Sequence, residues 1–207
     1  MVCTKPLTKQ GSQIPLPLQI LQNYPDLELF TDFFFVNLQP FLLTTSSKLH
    51  FLTVQTNENR TKSAIIKGIQ KVINTYTKRG FNISDLHGDN EFDMDDLKDA
   101  IKPASTHIYA PEEHVAPIER AVRTVKERCR AMCHSLPYTR YTKLMTNGLV
   151  EYVIYWLNAF PAQNGASTTL SPATIVLGRN KPDLSIKHIP FGSYALIYAG
   201  TKNNMEN

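Results

Sequence analysis

The chain has 207 residues, enough for one well-buried domain and too few for two of ordinary size. Its 42% hydrophobic and 19% charged content is that of a globular protein, and no apolar run reaches the length of a membrane span. The net charge of +4 permits a nucleic-acid partner without arguing for one. The opening MVCTKPLTKQGSQ carries no apolar signal core, and Cys3, Cys129 and Cys133 make no paired framework, which fits a reducing compartment. Residues 1–24, rich in Pro, Gln and Thr without periodicity, are expected to be a linker or truncated approach segment.

From Leu27 to Asn37 the text LELFTDFFFVN predicts a buried strand with Asp32 embedded in it. PFLLTT from Pro40 and KLHFLTVQT from Lys48 follow across short polar connections, as in an antiparallel meander. The period then changes. Ile65, Ile69, Val72, Ile73 and Tyr76 share one helix face, after a capping candidate at Asn59 or Thr61 and before a stop at Gly80. FNISDLHGDNEF predicts a fourth strand ending near Asp89, and a short helix spans about Met94 to Ile101 before Pro103. THIYA is a brief fifth strand, followed by helices over about Pro117–His134 and Lys143–Phe160. SPATIVLGRNKPD is expected as a turn-rich edge and PFGSYALIYAG as the start of a further β segment, so residues 166–207 form a C-terminal extension to a core of 25–165. The sum is a mixed α/β unit.

Three acidic residues stand out. Asp32 lies between Thr31 and three phenylalanines, where a carboxylate is costly to bury unless a metal, a cation or hydrogen bonds compensate. Asp89 follows a strand on a glycine, at the kind of strand end where α/β sheets present functional groups; alone, it is also ordinary turn chemistry. On the helix after Pro117, the residues Ile118, Val122, Val125, Cys129 and Met132 form the buried stripe. Glu119, Arg123, Lys126 and Arg130 step beside it, one carboxylate followed by three cations. This is either a solvated amphipathic face or a metal ligand with phosphate-binding cations beyond it. Two divalent ions held by carboxylates from separate elements can activate an attacking oxygen and stabilise a leaving one in phosphodiester displacement. Cys129, Cys133 and His134 share a helix face, but Cys129 belongs to the apolar stripe and is expected to be core. His87 and His114 carry no assigned role, and no nucleophilic triad or phosphate-cradling glycine loop is present.

The order strand-Asp, strand-Asp-Asn, helix-Glu resembles the DDE pattern of retroviral and retrotransposon integrases. The text is similar to integrase cores of Copia-type (Ty1-like) elements through DFFFVNLQPFLLTTSSKLHF, INTYTKRGFNISDLHGDNEF, EEHVAPIERAVRTVKERCRAMCHSLPY, WLNAFPAQNG and LSPATIVLGRNKPD. That resemblance implies an RNase H-like fold, a five-stranded mixed sheet flanked by helices, and 3′-end processing and strand transfer of element DNA. It implies Asp32, Asp89 and Glu119 as catalytic ligands of two Mg²⁺ or Mn²⁺ ions, with Arg120, Arg123, Lys126 and Arg130 on nucleic acid. Element ends and target DNA are the implied partners, a homo-oligomer the implied assembly, and the nucleus the location that a DNA substrate implies. The interval from Asp89 to Glu119 is shorter than usual in that family, and Ala116-Pro117 stands where a glycine usually does. Glu112 and Glu113 are the alternatives to Glu119. A decayed or domesticated copy that binds nucleic acid without catalysis, and an RNase H-type nuclease, are the competing functions.

Overall fold

The structure is a computed structural model that describes residues 13–56, 60–110, 115–182, 184 and 191–193. Its centre is β1 (Asp26–Val36), whose odd and even residues serve two different layers. A tight turn through Asn37 and Leu38, both at positive φ, returns the chain as β2 (Gln39–Ser46), which pairs antiparallel with β1. β3 (Leu52–Thr56) completes the meander on the far edge. It is shorter than the run from Lys48 suggests. Lys48 and His50 take positive φ and make a turn, so pairing starts only at Leu52.

α2 (Lys62–Thr77) is capped by Thr61, whose hydroxyl accepts from the Ala64 N–H at 3.4 Å. It leads to β4 (Asn82–Gly88), parallel to β1 on the side away from β2. After α3 (Asp95–Ala100), β5 (Ser105–Ile108) adds parallel to β4, giving the order β3-β2-β1-β4-β5. α4 (Ala116–Ser135) packs on β1 and β2, and α5 (Lys143–Ala159) packs on α4 and β3. The expected five-stranded mixed sheet flanked by helices is what the chain forms.

Two apolar layers sandwich the sheet. One joins Leu27, Leu29, Leu42 and Leu86 to Ile65, Ile69 and Val72 of α2; the other joins Phe30, Phe34, Phe41 and Leu43 to Ile118, Val125 and Cys129 of α4. On the edge strand, Asn158 of α5 makes both hydrogen bonds that a β neighbour would make to Leu52. The Leu52 N–H donates to its Oδ1 at 2.9 Å, and its Nδ2 donates to the Leu52 carbonyl at 2.7 Å.

Both ends of the described chain depart from expectation. Within the predicted linker, α1 (Leu18–Asn23) buries Ile20 in the main core. The predicted turn-rich edge is instead α6 (Pro172–Leu177), capped by the Ser171 hydroxyl at 3.2 Å from the Thr174 N–H and ended by Gly178 at φ 66. Ile175 and Val176 belong to the main core, so the packed unit continues past the boundary expected at 165. Arg79 ties these ends together, donating to the carbonyls of Ile14 at 3.0 Å and Ile175 at 3.1 Å. Of the β segment expected over PFGSYALIYAG, residues 191–193 are described and form no strand; the rest lies outside the described residues, as do Cys3, Glu112, Glu113 and His114. No helix among the described residues is long and apolar enough to cross a membrane.

Candidate active site

Asp32 and Asp89 reach the same face of the sheet because β4 carries an irregularity. Leu27 pairs with Ile83, but Glu28 pairs with Asp85, so Ser84 is an extra residue in β4. Beyond it, Leu29 faces Leu86 and Phe30 faces His87. The rings of Phe30 and His87 stack with centroids 4.6 Å apart. Two residues further along each segment come Asp32, within β1, and Asp89, just past the end of β4, near enough that the charge of Asp89 acts on the Asp32 carboxyl. Without the extra residue, the side chains after Ser84 would emerge on the opposite face. The shared face is the one that α4 covers, since Phe30, Phe34, Ile118 and Val125 lie in one layer.

Asp89 begins a single turn of 3-10 helix, Asn90–Phe92, and its carboxylate accepts from the Glu91 N–H at 3.0 Å. Phe92 folds back under the strand end, fully buried. That requires Gly88, because a Cβ there would stand 2.7 Å from the Phe92 ring. Glu91 forms an ion pair with Arg60, whose guanidinium lies 4.7 Å from the centroid of the Phe33 ring.

The electrostatics mark the pair as unusual. Burial pushes the Asp32 carboxyl up to about 6, and the negative charges of Asp89 and Glu91 push in the same direction. The Phe33 N–H and Lys126 offset part of that rise. Asp89 is raised above the ordinary carboxylate range by desolvation and by Glu91, with Arg60 opposing. Beside them, burial lowers His87, whose Nδ1 shares a 2.7 Å hydrogen bond with the Tyr109 hydroxyl and whose ring also stacks on His107.

Glu119 sits in the first turn of α4, exposed at the surface. At about 100° per residue, Arg123, Lys126 and Arg130 fall within about 40° of Glu119 around the helix, whereas Arg120 lies about 100° away. Arg120 therefore faces a groove on another side of α4. Lys126, whose charge bears on Asp32, is two turns or about 10 Å along the axis from Glu119. Among the described residues no three His, Cys, Asp or Glu side chains are gathered tightly enough to hold one metal ion. The structure thus brings Asp32 and Asp89 together and leaves Glu119 at the N-terminal end of the neighbouring helix.

The donor chemistry of the pair fits a divalent cation. Two adjacent carboxylates, one half-buried, repel each other, and a hard, oxygen-seeking ion that keeps several waters removes that repulsion. Cys129 offers no competing site. Its thiol is buried and pushed up to about 12, as a core residue's would be.

The sheet order, the parallel β1–β4 pair with acidic residues at its end and the helix across that face define the architecture. It is the RNase H-like fold. The catalytic core domain of BIV integrase matches it with a TM-score of 0.55 at 18% identity, over 72% of this chain and 93% of that one. No protein-family model matches the sequence, and no curated protein matches it.

Glu91, Arg60 and His87 are the site neighbours that the sequence did not assign. Glu91 could have been found, since it follows Asp89 by two residues in the same turn. Arg60 had no local signal, because its partner is 31 residues away.

Proposed function

We propose that this chain is the catalytic core of a retrotransposon integrase, a metal-dependent polynucleotidyl transferase acting on DNA. The observation that carries the proposal is the placement of Asp32 beside Asp89, on the sheet face covered by α4, with the Asp32 carboxyl raised to about 6. Similarity in fold to the BIV integrase core supports it. In this reading Asp32 and Asp89 hold two Mg²⁺ or Mn²⁺ ions, and Glu119 is the third carboxylate. Bound there, the ions supply Lewis-acid activation of an attacking oxygen and stabilisation of a leaving one.

The chain's own groups do the rest. Glu91 and Arg60 hold the turn that orients Asp89, since the Glu91 N–H fixes one carboxylate oxygen and the ion pair fixes Glu91. Arg123, Lys126 and Arg130 line up beyond Glu119 and engage phosphates on the path to the site. Water is the nucleophile for 3′-end processing and a DNA 3′-hydroxyl for joining. Element ends and target DNA are the partners, a homo-oligomer the working form and the nucleus the place of action.

An assay with Mn²⁺, a duplex carrying an element end and a labelled target tests this. Joined products with the unaltered chain and none with Asp89→Asn are expected; no joining under any divalent ion contradicts it. Replacing Arg123 or Lys126 by Ala is expected to reduce the salt slope of DNA binding by about one per lost contact. An unchanged slope removes those residues from the phosphate path.

The second reading, a decayed or domesticated copy that binds nucleic acid without catalysis, is favoured by one observation. Among the described residues no three His, Cys, Asp or Glu side chains, Glu119 included, are grouped closely enough to hold a metal ion. Such a chain holds DNA equally with and without Mg²⁺ and is indifferent to Asp89→Asn.

A further inference from the structure

Along the side of α4 turned away from the Glu119 stripe runs a groove of about 1050 Å³ between α4, α5 and the turn joining β2 to β3. Its floor is apolar, built by Leu52, Met132, Val153, Trp156, Leu157 and Phe160. The α4 wall carries small side chains at Ala121, Thr124 and Ala131, so the two helices leave a trough between them. Phe160 is 46% exposed at one end, and Trp156 and Phe160 stack with ring centroids 6.1 Å apart.

The charged groups on this groove are of one sign. Arg120 and Arg128 of α4 line it, and no Asp or Glu does among the described residues. Trp and Arg around an apolar floor are the residue types that dominate binding energy at protein interfaces. The groove follows α4 from Ala116 to Ser135, about 28 Å at 1.5 Å per residue, which is the length of a helix of about eighteen residues. Arg120 and Arg128 are eight positions apart in the sequence, about 12 Å along the axis.

We propose that this groove docks an amphipathic helical segment of a partner protein, with its apolar face on Trp156 and Leu157 and two carboxylates about two turns apart on Arg120 and Arg128. The occupant is a helix lying between helices, the mode in which an apolar stripe supplies affinity and flanking charges supply register. Duplex DNA is disfavoured, since its backbone would meet the two arginines while leaving the apolar floor uncovered. The proposal does not rest on the catalytic reading, because Arg120 and Arg128 lie off the stripe that carries Glu119. It reassigns Arg120 from phosphate to a carboxylate of the partner.

The chain's single tryptophan, Trp156, reports on the groove directly. The probe is a synthetic peptide of about eighteen residues without Trp or Tyr, with Leu at helical i, i+3, i+4, i+7 spacing and flanking Glu about two turns apart. The control peptide carries Lys in place of each Glu. The acidic peptide is expected to change Trp156 emission saturably, and the basic one to bind at least about tenfold more weakly. The R120E/R128E double variant is expected to reverse that preference, a result that general loss of folding does not produce. No saturable change in emission, equal binding of both peptides, or displacement of the acidic peptide by duplex DNA overturns the proposal. So does a Trp156 signal that depends on protein concentration alone, which assigns the groove to a second copy of the chain.

Discussion

The two faces of the sheet come from the same strands and have opposite chemistry. On the α2 side, Leu27, Leu29, Leu42, Ile83 and Leu86 meet Ile65, Ile69 and Val72 in a layer closed by burial alone. The Tyr76 hydroxyl there donates to the Phe51 carbonyl at 3.4 Å, and burial holds its phenol protonated well above the ordinary range. On the α4 side, Phe30, Phe34 and Phe41 build an equally apolar layer, but it is interrupted by His87, Asp32 and Asp89. Carboxylates stand at the edge of the α4-side layer, whereas the charged groups at the margin of the α2-side layer are cations, Arg60 over the Phe33 ring and Arg79 on main-chain carbonyls. The extra residue at Ser84 makes this division possible, because it keeps Leu86 in the first layer while sending His87 and Asp89 to the second.

The largest effect that would break this contrast is on chemistry. Asp32→Asn or Asp89→Asn is expected to lower strand transfer on the order of 10³-fold or more, with thermal stability at neutral pH unchanged or higher. The stability follows because each raised carboxylate disfavours the folded state once ionised. In the other layer, Leu86→Ala is expected to cost about 2–5 kcal/mol in denaturant unfolding. Gly88→Ala sits between the layers. Its added Cβ forces Phe92 out of place, so a cost of about 1–3 kcal/mol is expected, together with weakened Mn²⁺ binding through displacement of Asp89.

A weaker difference between the two layers lies in their response to pH. Asp32 binds its proton more tightly folded than unfolded, so its contribution to stability is full below about 4 and lost as pH rises through about 6. Under the proposed function a divalent cation would replace the proton above that range. Mn²⁺ is therefore expected to raise the melting temperature at about pH 7.5 and to do so much less at about pH 5, where protons compete. An equal shift at both values separates metal binding from Asp32.

Much of the architecture was legible because periodicity carries it. Continuous apolar runs marked β1 and β2, and period-3.6 stripes marked α2 and α4 to within a few residues. α6 was missed although its signals were local. Ser171, Pro172 and Gly178 are a cap, a first-turn proline and a left-handed stop around a helix of only six residues, too short for periodicity to show. The turn at Lys48–His50 was missed for the converse reason, since an apolar-polar alternation ran through residues whose backbone takes positive φ. In the site, the strand positions of Asp32 and Asp89 were readable. Their meeting was not, because it depends on the register and on one inserted residue. The Asn158 clamp on Leu52 and the Arg60–Glu91 pair lie beyond any local pattern, as their partners are 106 and 31 residues distant.

Whether Asp32, Asp89 and Glu119 share one divalent-metal site is decided by anomalous diffraction from crystals of the chain grown with Mn²⁺ and a short element-end duplex. Two Mn²⁺ peaks roughly 3.5–4 Å apart are expected, with Asp32 and Asp89 as ligands and Glu119 at the second ion. Peaks that leave Glu119 unligated favour the non-catalytic reading, and no Mn²⁺ at Asp32 and Asp89 rules out the metal-dependent function.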